Sequence, residues 1–152
     1  MQDVKLTADA QGNYDLVIEN DQISSVEGFE TTLIVSLMTD ARAPASLVPQ
    51  AHMRRGWVGD ISTAESATVT GSTLWVLDQS RMIKRTFAQA QLFTVEALQH
   101  LIDNKNAKGV NVTVNPSQRK IDIETEIVIN ENIVERYNTL WRITNASGLS
   151  NT

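Results

Sequence analysis

The chain has 152 residues, enough for one domain that buries a hydrophobic core without disulfides or metal ions. Its formal net charge of -5 argues against sequence-independent binding of nucleic acid, which requires a basic surface. It has no cysteine, which excludes disulfides, thiolate metal sites and a cysteine nucleophile. The amino terminus lacks the pattern of a signal peptide, and no stretch approaches membrane-spanning length, so we expect a soluble cytosolic product without a membrane partner.

Residues 4–26 alternate apolar and polar side chains in short pieces. Tyr14, Leu16 and Ile18 fall on one side of a predicted strand, because successive side chains of a strand point to opposite faces. Asn20 and Asp21 form a favourable turn pair before the chain returns. The pattern predicts a small amino-terminal β-hairpin or meander.

The pattern becomes helical over residues 29–39, where large apolar residues recur every three to four positions. Glu30 lies in the first turn, where negative charge is favourable, and Pro44 prevents the helix from continuing. Val35 widens the apolar face. This predicts a helix that neighbours cover on more than one side.

Residues 41–71 show little periodicity and contain two prolines and three glycines, which is typical of a functional loop in a small domain. Residues 54–60 read Arg-Arg-Gly-Trp-Val-Gly-Asp, a pattern of neither a helix nor a strand. Two glycines around a tryptophan indicate a required backbone path. The alternative is an ordinary tight loop whose tryptophan packs over the core.

A short apolar piece at residues 74–77 precedes a long helix that is predicted over residues 81–103. The residues of its predicted buried stripe are Ile83, Phe87, Ala90, Ala97, Leu98 and Leu101. Residues 104–109 form the predicted helix stop, with Gly109 able to take the left-handed conformation.

The last third of the chain has the alternation of β structure. Residues 110–115 predict a half-buried strand that Pro116 ends. Residues 121–129 alternate isoleucine with acidic side chains, and a turn at residues 130–132 leads to a second strand that runs to about residue 143. The two strands form a long hairpin, and Trp141 is predicted to face the core.

Together these elements predict an α+β fold with an N-terminal β-hairpin, two main helices and a C-terminal antiparallel sheet with a long β-hairpin. Residues 1–144 are predicted to form a single domain. Residues 145–152 are small and polar and are predicted to be a flexible tail.

The sequence contains no local pattern typical of a catalytic, cofactor or metal site, so none is predicted. His52 and His100 lack the spacing of metal ligands. Asp122, Glu124 and Glu126 face the same way on one strand and could form a glycosidase pair, although the commoner explanation is the solvated face of an amphipathic strand. The sequence therefore favours a binding or structural module over an enzyme.

Three motifs together resemble a known family. They are Leu-Ile-Val-Ser-Leu-Met-Thr-Asp-Ala-Arg-Ala at residues 33–43, the stretch at 54–60, and Gly-Ser-Thr-Leu-Trp-Val-Leu at 71–77. Their order and spacing resemble the small baseplate wedge protein of Mu-like contractile-tailed phages, a group similar in turn to the small baseplate wedge protein of T-even phages. The motifs span roughly residues 14–102. Val58 departs from the pattern, because many relatives carry a second tryptophan there.

The resemblance implies a non-enzymatic virion part that lies in the tail baseplate and assembles in the host cytoplasm. Its expected partners are the larger baseplate wedge proteins and the tail sheath protein, with tail tube or hub proteins as further candidates. Two alternatives stay open. One is a tail-associated, lysozyme-like cell-wall hydrolase, and the other is the same wedge role in a tailocin or contractile injection system.

We predict that the end of the first helix and the 54–60 stretch form or brace a contact with the larger wedge subunit. The predicted residues are Asp40, Arg42, Arg54, Arg55, Gly56, Trp57, Gly59 and Asp60, with Arg136 and Tyr137 on the hairpin. The hairpin belongs to the set because an exposed strand edge can add strands from neighbours. The alternative is that Trp57 packs into its own core and that the arginines pair internally with Asp40 or Asp60.

Overall fold

A computed structural model describes residues 2–11, 13–62, 69–117 and 120–142. The strands in these ranges are β1 (Gln2–Val4), β2 (Leu6–Ala8), β3 (Tyr14–Leu16), β4 (Ile18–Glu19), β5 (Gln22–Ile23), β6 (Ser25–Glu27), β7 (Gly109–Ser117), β8 (Lys120–Asn130) and β9 (Ile133–Arg142). The helices are α1 (Glu30–Met38), α2 (Gly59–Ser62) and α3 (Lys84–Asp103), with 3-10 helices at Ala51–Met53 and Leu74–Gln79. The predicted α+β fold is confirmed.

Strands β1 to β6 form a meander of three short antiparallel ladders, β1 with β6, β2 with β3, and β4 with β5. Asn20 and Asp21 connect β4 to β5 with φ angles of 54° and 59°. Two consecutive positive φ angles are what a two-residue hairpin turn requires, so the predicted turn is confirmed. None of the described side chains in residues 2–27 is fully buried.

Helix α1 is joined to the meander at its amino-terminal end. The Asp3 carboxylate accepts hydrogen bonds from the backbone N–H and the hydroxyl of Thr32, both at 2.8 Å. A carboxylate is favourable there because the first N–H groups of a helix have no intrahelical partner. Leu33 and Leu37 are buried, whereas Val35 is exposed. Thr31 is buried on another side of the helix, where its hydroxyl donates to the Val4 carbonyl, so α1 is covered on more than one side as predicted, although Val35 is not part of the covered surface.

Helix α3 begins at Lys84, three residues later than predicted. Ile83 precedes it with an extended backbone (φ -126°, ψ 163°) and is exposed, so its predicted place in the buried stripe is wrong. A residue outside the helical repeat does not share the direction of the stripe. The rest of the predicted stripe is buried or partly buried, and Phe93 and Thr94 are buried in addition.

Helix α3 ends without the help of Gly109. The N–H groups of Asn106 and Ala107 donate to the Leu101 carbonyl at 2.9 and 3.0 Å, which ends the helix within a few residues. Lys105 takes the left-handed conformation there, with a φ of 60°. The left-handed conformation predicted as possible for Gly109 is therefore found at Lys105, and Gly109 begins β7.

Strands β7, β8 and β9 form one antiparallel sheet with β8 in the middle. Ile121, Ile123 and Ile127 of β8 are fully buried. Trp141 pairs directly with Ile121 across the hairpin and is partly buried against the core, so the predicted long hairpin and the predicted direction of Trp141 are confirmed. Pro116 does not end β7, which continues to Ser117, because a proline is tolerated in an edge strand.

The core lies between α1, the 3-10 helix Leu74–Gln79, α3 and the buried face of the sheet. Its buried residues are Phe29, Leu33, Leu37, Leu74, Leu77, Ala90, Phe93, Leu98, Leu101, Ala107, Val112, Ile121, Ile123 and Ile127. The predicted strand end at residue 143 and the predicted tail at 145–152 lie outside the described residues. The single domain 1–144 stays a prediction. Within the described ranges, no helix is long and apolar enough to cross a membrane.

Candidate partner-binding site

The backbone after α1 brings the 54–60 stretch next to the end of that helix. Ser72 donates its N–H to the Thr39 carbonyl, and its own carbonyl accepts from the Ala41 N–H, both at 2.9 Å. Two residues further on, the Ala43 N–H donates to the Arg54 carbonyl at 2.9 Å. Backbone hydrogen bonds therefore hold residues 39–43 between Ser72 on one side and Arg54 on the other.

Two arginines hold the 54–60 stretch, called the 54–60 loop below, and the residues just before it by donating to backbone carbonyls. The Arg42 guanidinium donates to the carbonyls of Ala51 and Arg55, both at 3.2 Å. Arg54 donates to the carbonyls of residues 48 and 49, both at 2.8 Å. A guanidinium presents several donors in a rigid fork, so each of these side chains fixes two points of the loop. Their observed role is to brace the loop from within.

Arg55 joins the loop to a buried tryptophan that the sequence-based prediction left out. Its Nη1 lies 2.8 Å from Asp40 Oδ2, and its guanidinium carbon lies 4.6 Å from the centre of the Trp75 ring. Trp75 is buried and donates its indole N–H to the Ala41 carbonyl at 2.8 Å. The internal pairing of Arg55 with Asp40 is thus present. Both side chains are partly exposed, so the ion pair itself contributes little to stability.

Trp57 projects from the braced loop and lies outside the core cluster. Its side chain is 49% exposed, and the neighbouring Val58 is 75% exposed. The ring lies against Gly59, where an added Cβ would stand 2.1 Å from two ring carbons. Asp60 follows, and its carboxylate accepts from the Thr70 N–H at 3.0 Å. The alternative in which Trp57 fills the core of its own domain does not match this exposure.

Arg136 and Tyr137 do not join the loop residues, because both belong to β9 and point to opposite faces of it. Arg136 Nε lies 2.6 Å from Glu126 Oε1, and this hydrogen bond and charge hold the pKa of Glu126 below its usual value. The Tyr137 hydroxyl accepts from the Phe29 N–H at 2.8 Å and donates to the Glu135 carboxylate. Burial, followed by the bond to Glu135, raises the pKa of Tyr137 to about 12, so the hydroxyl stays protonated.

Asp78 connects the hairpin to the segment that carries Trp75. Its Oδ1 accepts from the indole N–H of Trp141 at 3.1 Å. Burial raises the pKa of Asp78 above its ordinary value of 3.8, and the Trp141 hydrogen bond and the Arg55 charge oppose the rise. Arg55 thus lies on Trp75, and Asp78, three residues further along the chain, binds Trp141; sequence alone gave no indication of this grouping. The Gly-Ser-Thr-Leu-Trp motif at residues 71–75 was the available signal for Trp75.

We expect Asp78→Asn to raise the free energy of unfolding at neutral pH, by no more than about 1 kcal/mol after solvent screening. The folded-state pKa of Asp78 is raised, so its contribution is fully present below pH 3.8 and is lost as pH rises through the folded-state pKa. An asparagine oxygen still accepts from Trp141 but carries no charge to bury. Urea unfolding of both proteins at neutral and at acidic pH measures the difference, which should shrink in acid. A less stable variant at neutral pH would contradict this account.

The described residues offer little for catalysis. No group of three or more histidine or acidic side chains in these ranges is placed to hold a metal ion. Glu126, one of the carboxylates on the solvated face of β8, has a lowered pKa, whereas a general acid of a glycosidase needs a raised one. The raised pKa of Asp78 belongs to a carboxylate that is already engaged by Trp141. Nothing in this geometry positively indicates an enzyme.

The sequence that forms α1, the 54–60 loop, α3 and most of the sheet matches a family of phage proteins. The model of the family described as Phage protein GP46 matches residues 29–134, which run from α1 through the loop to the start of β9. The chain therefore belongs to this phage protein family. It is also 31% identical over 137 residues to the Mu-like prophage FluMu protein gp46 of Haemophilus influenzae, a match that covers 90% of this chain and 93% of that relative. The predicted resemblance to a Mu-like phage protein is confirmed, and the wedge role stays a prediction.

Proposed function

We propose that the protein is a structural component of the baseplate wedge in a contractile tail. In this role it binds the larger wedge subunits and offers the tail sheath a docking point. The observation that carries the proposal is the long β8–β9 hairpin, whose outer strand β9 has no strand partner on its other side within the described residues. An unpartnered edge presents backbone N–H and C=O groups to a strand of another protein.

The edge strand β9 is suited to strand addition in the assembled tail. Charged side chains on the solvated face of the hairpin limit pairing of the free protein. The Arg136–Glu126 pair and the exposed Glu124 keep the free sheet soluble and discourage pairing with chance partners. On docking, the same charges help to set the register of an incoming strand. We assign this edge to the sheath protein. Tail tube or hub proteins are further candidates for nearby contacts.

The 54–60 loop is assigned to the larger wedge subunit. Arg42 and Arg54 hold the loop in place before any partner arrives, and Trp57 stands exposed at its surface. Binding through a pre-organised loop costs less conformational entropy than binding through a mobile one. Tryptophan and arginine are also the residue types that most often dominate the energy of an interface.

Electron microscopy after deletion of the gene from its parent phage or particle cluster tests the wedge role. We expect lysates without assembled baseplates or sheathed tails, and restored tails when the protein is supplied in trans. Complete sheathed particles that merely fail to infect would contradict the proposal. They would favour the cell-wall hydrolase, which a lytic assay on purified cell walls then checks. A tailocin or contractile injection system would give the same result as a phage tail, because the mechanical role is the same.

A further inference from the structure

A groove opens where the meander, α1 and β9 meet. It has a volume of about 260 Å³, and its lining includes Tyr14, Glu30, Ile34, Met38, Tyr137 and Leu140. Pockets that hold small ligands usually measure about 300 Å³ or more, so this groove is better suited to one side chain of a protein partner. Leu140 is 55% exposed at its rim, which leaves apolar surface uncovered.

The groove carries negative charge. The elements from β2 to α1, residues 6–38, contain six aspartates and glutamates and no lysine or arginine, although Glu19 is paired with Lys5. Glu30 lines the groove directly, and Glu135 is hydrogen-bonded to the lining residue Tyr137. A partner that places an apolar side chain here with positive charges beside it would be complementary in both shape and charge.

The chain itself has an apolar side chain flanked by positive charges at the start of α3, where residues 81–85 read Arg-Met-Ile-Lys-Arg. Ile83 is 51% exposed, and Arg81, Lys84 and Arg85 around it are all exposed. The described ion pairs include none of these three cations. Positive charge at the start of a helix is unfavourable because it opposes the helix dipole, and the first turn of α3 has no acidic residue. A binding role would account for cations at a position that helix stability disfavours.

We infer that the acidic groove is an interface between copies of this chain, in which Ile83 of one copy enters the groove of a second copy. The three cations of the first copy then face Glu30 and the acidic meander of the second. Groove and basic segment are different surfaces, so the contact is head-to-tail and leads to a ring or an open chain of copies. The inference does not use the 54–60 loop and does not depend on the wedge role. The groove is lined in part by residues 137–140 of β9, so the two contacts share that strand, and the charge-exchange variants below leave β9 unchanged.

Disulfide trapping tests the contact directly, because the chain has no cysteine of its own. Purified Leu140→Cys and Ile83→Cys proteins are mixed under mild oxidation. We expect disulfide-linked heterodimers in clear excess over either homodimer. The matched control replaces Leu140→Cys with Thr113→Cys, an exposed position on the solvated face of the sheet. Equal yields of heterodimer in both mixtures would overturn the inference.

A charge exchange provides the second test, by sedimentation velocity at concentrations up to about 1 mM, where weak association is still visible. Glu30→Lys alone and Lys84→Glu alone should each weaken self-association by about fivefold, and mixing the two variants should restore it. Glu131→Lys, in the turn between β8 and β9, is the control and should have no such effect. Thermal unfolding checks that every variant is folded. A protein that stays monomeric at all these concentrations, or variants that do not rescue each other, would overturn the inference. Normal tail assembly by such variants would leave the wedge role standing.

Discussion

Trp57→Ala is expected to weaken binding of the larger wedge subunit by about 2 kcal/mol or more, which is roughly thirtyfold in Kd. The free energy of unfolding should change little, because the ring is half exposed and lies outside the core cluster. Truncation removes a large, rigid side chain that Arg42 and Arg54 hold at the surface through the loop backbone. Calorimetric titration with the larger wedge protein of the same phage gives the affinity, and urea unfolding gives the stability.

Two companion variants separate the contribution of the Trp57 side chain from that of its position. Gly59→Ala adds a methyl group 2.1 Å from the ring, so the ring must turn away although it is still present. We expect it to weaken binding nearly as much as Trp57→Ala. Val58→Ala is the control, since that neighbouring side chain is small and exposed. If Trp57→Ala leaves both stability and binding unchanged, neither the interface role nor the internal packing of this residue is correct.

Gly71→Ala is expected to destabilise the protein by about 3 kcal/mol or more. Gly71 has a φ of 99°, a conformation that side chains with a Cβ rarely adopt. An added Cβ would stand 2.2 Å from the Thr39 carbonyl oxygen, which is itself hydrogen-bonded to the Ser72 N–H. Relief of the clash requires the backbone after α1 to move, and that movement opens the base of the 54–60 loop.

The matched control for this substitution is Gly109→Ala. An added Cβ at Gly109 meets nothing within 4 Å, and this residue has no positive φ. Its substitution should change the unfolding free energy by less than about 1 kcal/mol. Urea denaturation of the two variants and the wild type gives the comparison. Equal stabilities for the two alanine variants would show that the close approach at residue 71 does not constrain the fold.

The periodicity of side chains accounts for what sequence reasoning placed correctly. Isoleucines at four of the five alternate positions from 121 to 129 in β8 identified the buried face of the sheet, because successive residues of a strand point to opposite sides. Two errors occurred at the ends of α3. Ile83 fitted the apolar stripe of α3 but precedes the helix, and Lys105 rather than Gly109 takes the left-handed conformation at its end. Periodicity does not define the ends, which depend on local backbone hydrogen bonds.

The sequence by itself determined the order of helices and strands, the buried face of the sheet and the membership of a phage protein family. Only the tertiary structure decided that Arg55 lies on Trp75, that Trp57 is exposed, and that Tyr14, α1 and β9 form one acidic groove. The reason is physical. A local pattern states which side of an element is apolar, whereas the neighbours that cover this side come from distant parts of the chain and meet only when the chain packs.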